Sequence, residues 1–296
     1  MLAKIKSILK YSVPHWLGHP LWGDNRLSPF LRFARLQLIF ALGEKKIYVK
    51  WIDDLMLPII SGDTGLTGNY YVGLHEFDDM AFALHILHED EQFIDVGANL
   101  GSYSLIASGL AKAQTLAYEP VPTTYKRLVE NISVNNLSNK VTPCMIALTS
   151  PLNAQNSTKL KFSSDKDCTN SFVDNTYAGS TIDVDISTLD MHSRNMQPVL
   201  IKIDVEGFEL DVLKGASETL SKESLLAIII EGQTDDVNRT LRDAGFVDVN
   251  YFPKDRTIQP HSCKKSNRIW IRSHRYEEIT MRLKNAPYHL IYGNTL

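Results

Sequence analysis

The chain has 296 residues, 44% of them hydrophobic, enough to bury a substantial core and to exclude disorder as the dominant state. Its 31 Lys and Arg against 34 Asp and Glu leave a formal charge of -3, too balanced for a nucleic-acid partner held by bulk electrostatics. Three widely spaced cysteines, Cys144, Cys168 and Cys263, give neither a disulfide framework nor a zinc spacing and fit a reducing compartment.

Charge is unevenly spread. Residues 1–50 hold nine Lys or Arg against two acids, a net of +7, and residues 251–296 hold nine against three, a net of +6, so an acidic middle is flanked by basic ends. No run reaches the roughly 18–20 apolar residues of a membrane span. The N-terminus MLAKIKSILKYSVPHWLGHPLW lacks the apolar block and small-residue cleavage site of a secretory signal. The expected location is the cytoplasm, with the basic, amphipathic N-terminus suited to peripheral contact with the inner membrane face.

In chain order, the first 45 residues read as helical: Ser28 and Pro29 supply a start signal, and Phe30, Leu31, Ala34 and Leu38 make an apolar stripe. KIYVKWI and LMLPII, separated by Asp53 and Asp54, predict a β-hairpin. Residues 1–70 thus form a helical cap and hairpin extension. His15, His19, Trp16 and Trp22 within it suit packing better than sugar or lipid contact.

From residue 74 apolar strands alternate with helices, the pattern of a doubly wound α/β sheet spanning 71–296. A helix at 76–88 precedes the strand QFIDV, and TLAYE follows as a second strand. The helix starting near Pro122 carries Tyr125, Leu128, Val129 and Ile132 on one face. VTPCMIAL (141–148), PVLIKID (198–204) and LAIIIEG (226–232) are nearly continuous apolar runs, as strands covered on both faces require. Residues 149–180 read as a long polar loop. Thr234 caps a helix running through Ala244, and FVDVNYF and NRIWIR read as closing strands that form a hairpin. The basic run Lys264, Lys265, Arg268, Arg272 and Arg275 reads as a solvated face, with steering of an anionic acceptor as the sharper alternative; His261, His274 and His289 show no metal spacing.

Chemistry concentrates at strand ends. FIDVGANLG ends a strand at Asp95 and Val96 and turns through Gly97 and Gly101, where the backbone can approach a ligand closely. Asn99 replaces the middle glycine of a dinucleotide loop, which disfavours a pyrophosphate. Glu119 ends the next strand, where a carboxylate can accept two hydrogen bonds from vicinal ribose hydroxyls. IKIDVEGFELDVLKGA places Asp204 at a strand tip with Glu206 just beyond, and Glu231 ends the following strand. These acids can offset a ligand cation or take a proton from a substrate hydroxyl.

Together FIDVGANLG, the AYEP strand end, the TLD segment at 188–190 and LIKIDVEGFELDVLKGA followed by IIIEG resemble the FkbM family of S-adenosylmethionine-dependent methyltransferases, bacterial enzymes that mostly methylate hydroxyls. The likeness covers about 71–272, and GLHEFDDM stands where such sequences carry G-x-x-E, with His75 in place of the usual aromatic. It implies a seven-stranded class I (Rossmann-like) methyltransferase sheet whose last strand is antiparallel. It further implies S-adenosyl-L-methionine at the strand tips: Asp95, Gly97, Asn99 and Gly101 around the methionine moiety, Glu119 on the ribose, Ala147 against adenine, and Asp204 bordering the sulfonium. Glu76 and Glu206 would form the wall shared by cofactor and acceptor, with Glu231 on the acceptor side.

The expected reaction is methyl transfer to a hydroxyl of a glycan, sugar or secondary-metabolite acceptor. Glu206, Asp204, Glu231 and His75 are the candidate general bases, in that order, and no metal ligand is assigned. Two alternatives stay open on the residues: a nicotinamide-dependent oxidoreductase, and a degenerate methyltransferase fold kept as a binding subunit.

Overall fold

The structure, a computed structural model, describes residues 12–22, 27–63, 65–163, 177, 179–232, 234–260 and 267–296. Cys168, Cys263, His261, Lys264, Lys265 and much of the 149–180 stretch lie outside the described residues. The chain divides into two compact units, Met1–Met80 with Tyr288–Leu296, and Ala81–Pro287.

The first unit contains helices α1 (Val13–Gly18), α2 (Ser28–Ala41) and α3 (Thr67–Val72) and the antiparallel hairpin of β1 (Lys46–Lys50) and β2 (Met56–Ile60). Helix α2 opens with Pro29 in its first turn, where the missing N–H has no helical partner to lose. Its outward face corrects the expected stripe: Leu31 is 68% and Leu38 61% exposed, whereas Pro29 and Leu36 are buried. Trp16 packs edge-on against Phe30 and Tyr71. The Trp22 indole N–H donates to the Val72 carbonyl at 3.1 Å, so both tryptophans belong to the packing. The Arg32 guanidinium lies 3.5 Å from the Tyr292 ring centroid and donates to the Tyr71 carbonyl.

Helix α4 (Phe77–Ile86) carries the chain into the second unit. There follow β3 (Gln92–Val96), α5 (Ser102–Gly109), β4 (Gln114–Tyr118), α6 (Pro122–Val134), β5 (Val141–Cys144), β6 (Ala147–Leu148), β7 (Lys159–Ser163), β8 (Thr181–Ser187) and β9 (Pro198–Ile203). The unit continues through α7 (Glu209–Lys214), β10 (Ala227–Glu231), α8 (Asp235–Asp243), β11 (Phe246–Phe252), β12 (Thr257–Pro260), β13 (Asn267–Arg272) and α9 (Tyr276–Lys284). The main sheet has the order β12-β11-β13-β10-β9-β3-β4-β5. Strands β5, β4, β3, β9 and β10 pair in parallel, and β13 runs antiparallel between β10 and β11. This is the expected seven-stranded Rossmann-like sheet with its reversed strand, to which β12 adds a short edge. Successive connections move outward in opposite directions from β3 and β9, making their junction the topological switch point where such sheets open a ligand crevice.

One face of the sheet buries Ile94, Val96, Ile201, Ile203, Ile228, Ile230 and Trp270 against the helices. Each fully buried aliphatic side chain contributes about 1.5–3 kcal/mol. Alternation then turns Asp95 and Lys202 to the opposite face, side by side in the β3–β9 register.

Three further expectations change. VTPCMIAL is two strands: β5 lies at the edge of the main sheet, where Pro143 without an N–H is tolerated, and Ala147–Leu148 pairs instead with β8. The 149–180 stretch is not simply loop, because Ser150 caps a helix at Pro151–Asn156 and Lys159–Ser163 pairs antiparallel with Thr181–Ser187. Two members of the basic run, Arg268 and Arg272, are not on a solvated face, whereas Arg275 is partly exposed and pairs with Glu278. Arg268 is mostly buried and bonded to Asp248 at 2.7 Å, and buried Arg272 donates to the carbonyls of Leu220, Lys222, Leu225 and Ala244. No helix among the described residues is long and apolar enough to cross a membrane.

Candidate active site

The carboxyl ends of β3, β4 and β9 converge on a cleft of about 680 Å³ of empty space, part of it open to solvent. Its lining includes Gly97, Asn99, Tyr118, Glu119, Ala147, Phe162, Asp204 and Glu206. The volume and mixed lining suit a small organic ligand.

The glycine loop is held by backbone bonds. The N–H groups of Gly97 and Ala98 donate to the Tyr118 carbonyl at 3.0 and 2.8 Å, and that of Asp204 donates to the Val96 carbonyl at 3.0 Å. Gly97 has φ +76°, and a Cβ there would lie 1.8 Å from the Asp204 carbonyl oxygen. No side chain fits that crossing of β3 and β9. Asn99 adopts φ 51°, a left-handed conformation that asparagine tolerates better than most residues. Gly101, at φ +88°, precedes α5 and faces Leu128, away from the cleft lining.

Glu119 is buried, and both carboxylate oxygens accept backbone N–H groups, from Asn99 at 3.0 Å and from Val121 at 2.9 Å. Burial outweighs those bonds and pushes the carboxyl up to about 7. Each oxygen retains a further acceptor site for a donor in the cleft. Asp95 lies deeper, outside the lining, where it accepts the Ser104 hydroxyl at 2.6 Å. Burial raises its carboxyl, with Lys202 and Ser104 opposing.

On the other side of the cleft, carboxylate oxygens of Asp204, Glu206 and Glu231 all lie within 4.8 Å of one another. Such crowding of like charges discourages full ionisation. Burial alone would raise Asp204, but the Lys202 ammonium 2.7 Å from its Oδ2, with hydrogen bonds from Glu231 and Lys202, holds the group below the ordinary carboxylate range. Glu231 moves the other way: burial first, then its hydrogen bond to Asp204 and the charges of Asp204 and Glu206, raise its carboxyl well above that range. Glu206 is exposed with φ 51°, a strained conformation for a glutamate that turns the chain at the cleft wall.

Of the residues singled out from sequence, Gly97, Asn99, Glu119, Ala147, Asp204 and Glu206 line the cleft, and Glu231 joins through Asp204. His75 and Glu76 belong to the first unit, where the His75 N–H donates to Asn69 Oδ1 at 2.9 Å and its ring lies 4.8 Å from that of His15. Burial lowers His75. His19, bonded through Nε2 to the Leu74 carbonyl at 2.7 Å, is lowered to about 4, first by burial. Sequence reasoning missed Lys202, Tyr118 and Phe162. A lysine inside the apolar run LIKID was a visible signal; Phe162 had none, lying in a stretch read as loop.

The chain matches the methyltransferase FkbM domain over residues 95–247 and belongs to that family. The hexuronic acid methyltransferase AglP of Haloferax volcanii is 31% identical, the match covering 57% of this chain and 69% of that protein. The methyltransferase sdnD of Sordaria araneosa is 27% identical, covering 57% of this chain and 79% of that one. Among solved structures, the precorrin-6y C5,15-methyltransferase of Geobacter metallireducens aligns with a TM-score of 0.40 at 15% identity, covering 67% of this chain and 86% of that one.

Proposed function

We propose that this protein is an S-adenosylmethionine-dependent O-methyltransferase acting on a hydroxyl of a sugar or glycan. The observation that carries the reading is Glu119: a buried carboxylate at a strand tip, fixed by two backbone N–H groups on the floor of a cleft, with acceptor capacity left for a pair of vicinal hydroxyls. AglP's activity on a hexuronic acid supports the sugar acceptor.

The residues present suit that cofactor. Glu119 would hold the ribose, Ala147 and the neighbouring Ile146 and Phe162 offer an apolar wall to adenine, and Gly97 and Asn99 leave room for the methionine moiety. When bound, the cofactor supplies an already activated sulfonium methyl. The protein's work is then to align the acceptor oxygen, exclude water and receive the hydroxyl proton. Asp204, held ionised, and Glu206 on the cleft wall are the proton acceptors. Glu231 begins with its own proton, hydrogen-bonded to Asp204.

The test is calorimetry with S-adenosylhomocysteine, followed by incubation with methyl-labelled cofactor and hexuronic acid-containing glycans. Binding and label on a sugar oxygen are expected; absence of both ends the reading.

Peripheral membrane contact is proposed for α2, whose exposed row Leu27, Leu31, Leu38 and Leu42 is accompanied by exposed Arg35 and Lys45. Anionic vesicles should sediment the protein, and Leu31→Glu with Leu38→Glu should leave it in the supernatant. Equal sedimentation of both would remove the proposal.

A further inference from the structure

Within the proposed methyltransferase site, one residue stands out because it is where the hydrophobic pattern forbids it. Strand β9 reads Pro-Val-Leu-Ile-Lys-Ile, every position buried, and Lys202 is only 4% exposed. A lysine is almost never buried without a charged partner. On a strand, residues two apart share a face, so Lys202 and Asp204 point the same way, and the parallel register sets Asp95 of β3 directly opposite Lys202. The ammonium lies 2.7 Å from Asp204 Oδ2 and 4.7 Å from the centre of the Tyr103 ring.

We propose that Lys202 is a positioning residue of the reaction, fixing Asp204 as the ionised member of the Asp204–Glu231 pair and leaving Glu231 to hold the proton between them. The inference rests on the methyltransferase reading for its purpose, but the charge arrangement belongs to the ligand-free protein. Asp204, Glu206 and Glu231 approach within 4.8 Å of one another, so the cluster must hold fewer than three negative charges or bring a cation close. Lys202 is such a cation, and it sits on Asp204. Asp204 is part of the cleft lining and Lys202 is not, so the ammonium reaches Asp204 without itself lining the cleft. Asp95, buried and bonded to Ser104, flanks the same ammonium. The Tyr103 ring face adds a second, uncharged restraint. The groups facing Asp204 from neighbouring elements are Asp95 on β3, Glu119 just after β4, Lys202 on β9, Glu231 on β10 and Glu206 in the turn after β9.

Carboxyl carbon NMR of the ligand-free protein, labelled at Asp and Glu side chains and titrated from pH 2 to 9, reads this directly. In the wild type, Asp204 should stay ionised through the range in which Glu231 is still protonated. Lys202→Met should raise the Asp204 midpoint by more than one pH unit, and Lys202→Arg should keep it near the wild-type value. A folded Lys202→Met protein with an unmoved Asp204 midpoint would overturn the proposal. Because a neutral residue at 202 can prevent folding, Asp204→Asn provides a second arm that leaves the lysine in place. There the Glu231 midpoint should fall toward the ordinary carboxylate range, and a Glu231 midpoint that stays put shows the two are not a pair and ends the idea. Neither arm uses cofactor or acceptor. Failure to bind S-adenosylhomocysteine would instead sink the methyltransferase reading and leave these titrations as they are.

Discussion

The two sides of the cleft use the same side-chain chemistry to opposite ends. At the β3–β4 side, Glu119 stands with each oxygen already tied to a backbone N–H, and the loop that presents Gly97 and Asn99 is tied in turn to β4. At the β9–β10 side, Asp204, Glu206 and Glu231 crowd together over one buried ammonium, and their protonation states depend on one another. An anchored carboxylate holds a ligand in one place. A coupled set can accept a proton by redistributing it. The difference shows that a carboxylate at a strand tip is uninformative alone, and that its neighbours decide between binding and proton transfer.

The sharpest way to break the comparison is to substitute once on each side and ask which kinetic quantity moves. Asp204→Asn removes a proposed proton acceptor and should lower kcat by about 10²–10⁴-fold, with S-adenosylhomocysteine affinity within about tenfold of wild type. Glu119→Ala should do the reverse. Losing two hydrogen bonds to a charged group, at about 1.5–3 kcal/mol each, weakens S-adenosylhomocysteine by about a hundredfold or more, and saturating cofactor recovers much of kcat. Calorimetry and steady-state rates read both. If Glu119→Ala left the affinity intact while Asp204→Asn abolished it, the assignments of the two sides would have to be exchanged.

A third substitution tests the crossing that joins the sides. Gly97→Ala sets a methyl carbon against the Asp204 carbonyl in a backbone region alanine avoids. A thermal midpoint lowered by several degrees and loss of cofactor binding are expected, and an unchanged midpoint would mean the β3–β9 contact is looser than described.

Much of this site could be read in advance because its signals are local. A strand ending in a small-residue turn, and an acid at the next strand tip, need only neighbouring residues to be understood, and Gly97, Asn99, Glu119 and Asp204 all reach the cleft. What was not legible depended on contacts distant in sequence. Helix α2 is apolar on more than one face, so periodicity marked Leu31 and Leu38 as a stripe without saying which way it turns. Arg268 and Arg272 read as surface charge, but Asp248, 20 residues away, and four carbonyls 28 to 52 residues away hold them, at separations no local pattern reports. Lys202 was passed over inside an apolar run because its partners come from β3 and from the end of its own strand.

The smallest expected effect is also the one that separates the two sides by pH alone. Glu119 is raised by burial from the ordinary 4.5 to about 7, so the native state holds its proton more tightly than the unfolded chain does. Stability from this group is therefore present at low pH and is lost as pH rises from about 4.5 to about 7. Ribose hydroxyls donate to the ionised form, so a ligand must displace the proton. S-adenosylhomocysteine affinity should rise as pH increases from 6 to 8, by no more than about tenfold, and level off above 7. Glu231 is raised as well, so the measurement belongs in a Glu231→Gln background, which removes the Glu231 contribution. Calorimetry in two buffers of different ionisation enthalpy should then count close to one proton released at pH 6 and few at pH 8. An affinity that is flat or falls across this range would mean that Glu119 meets the ligand already ionised or not at all, and the distinction between an anchored side and a coupled side would lose its physical basis.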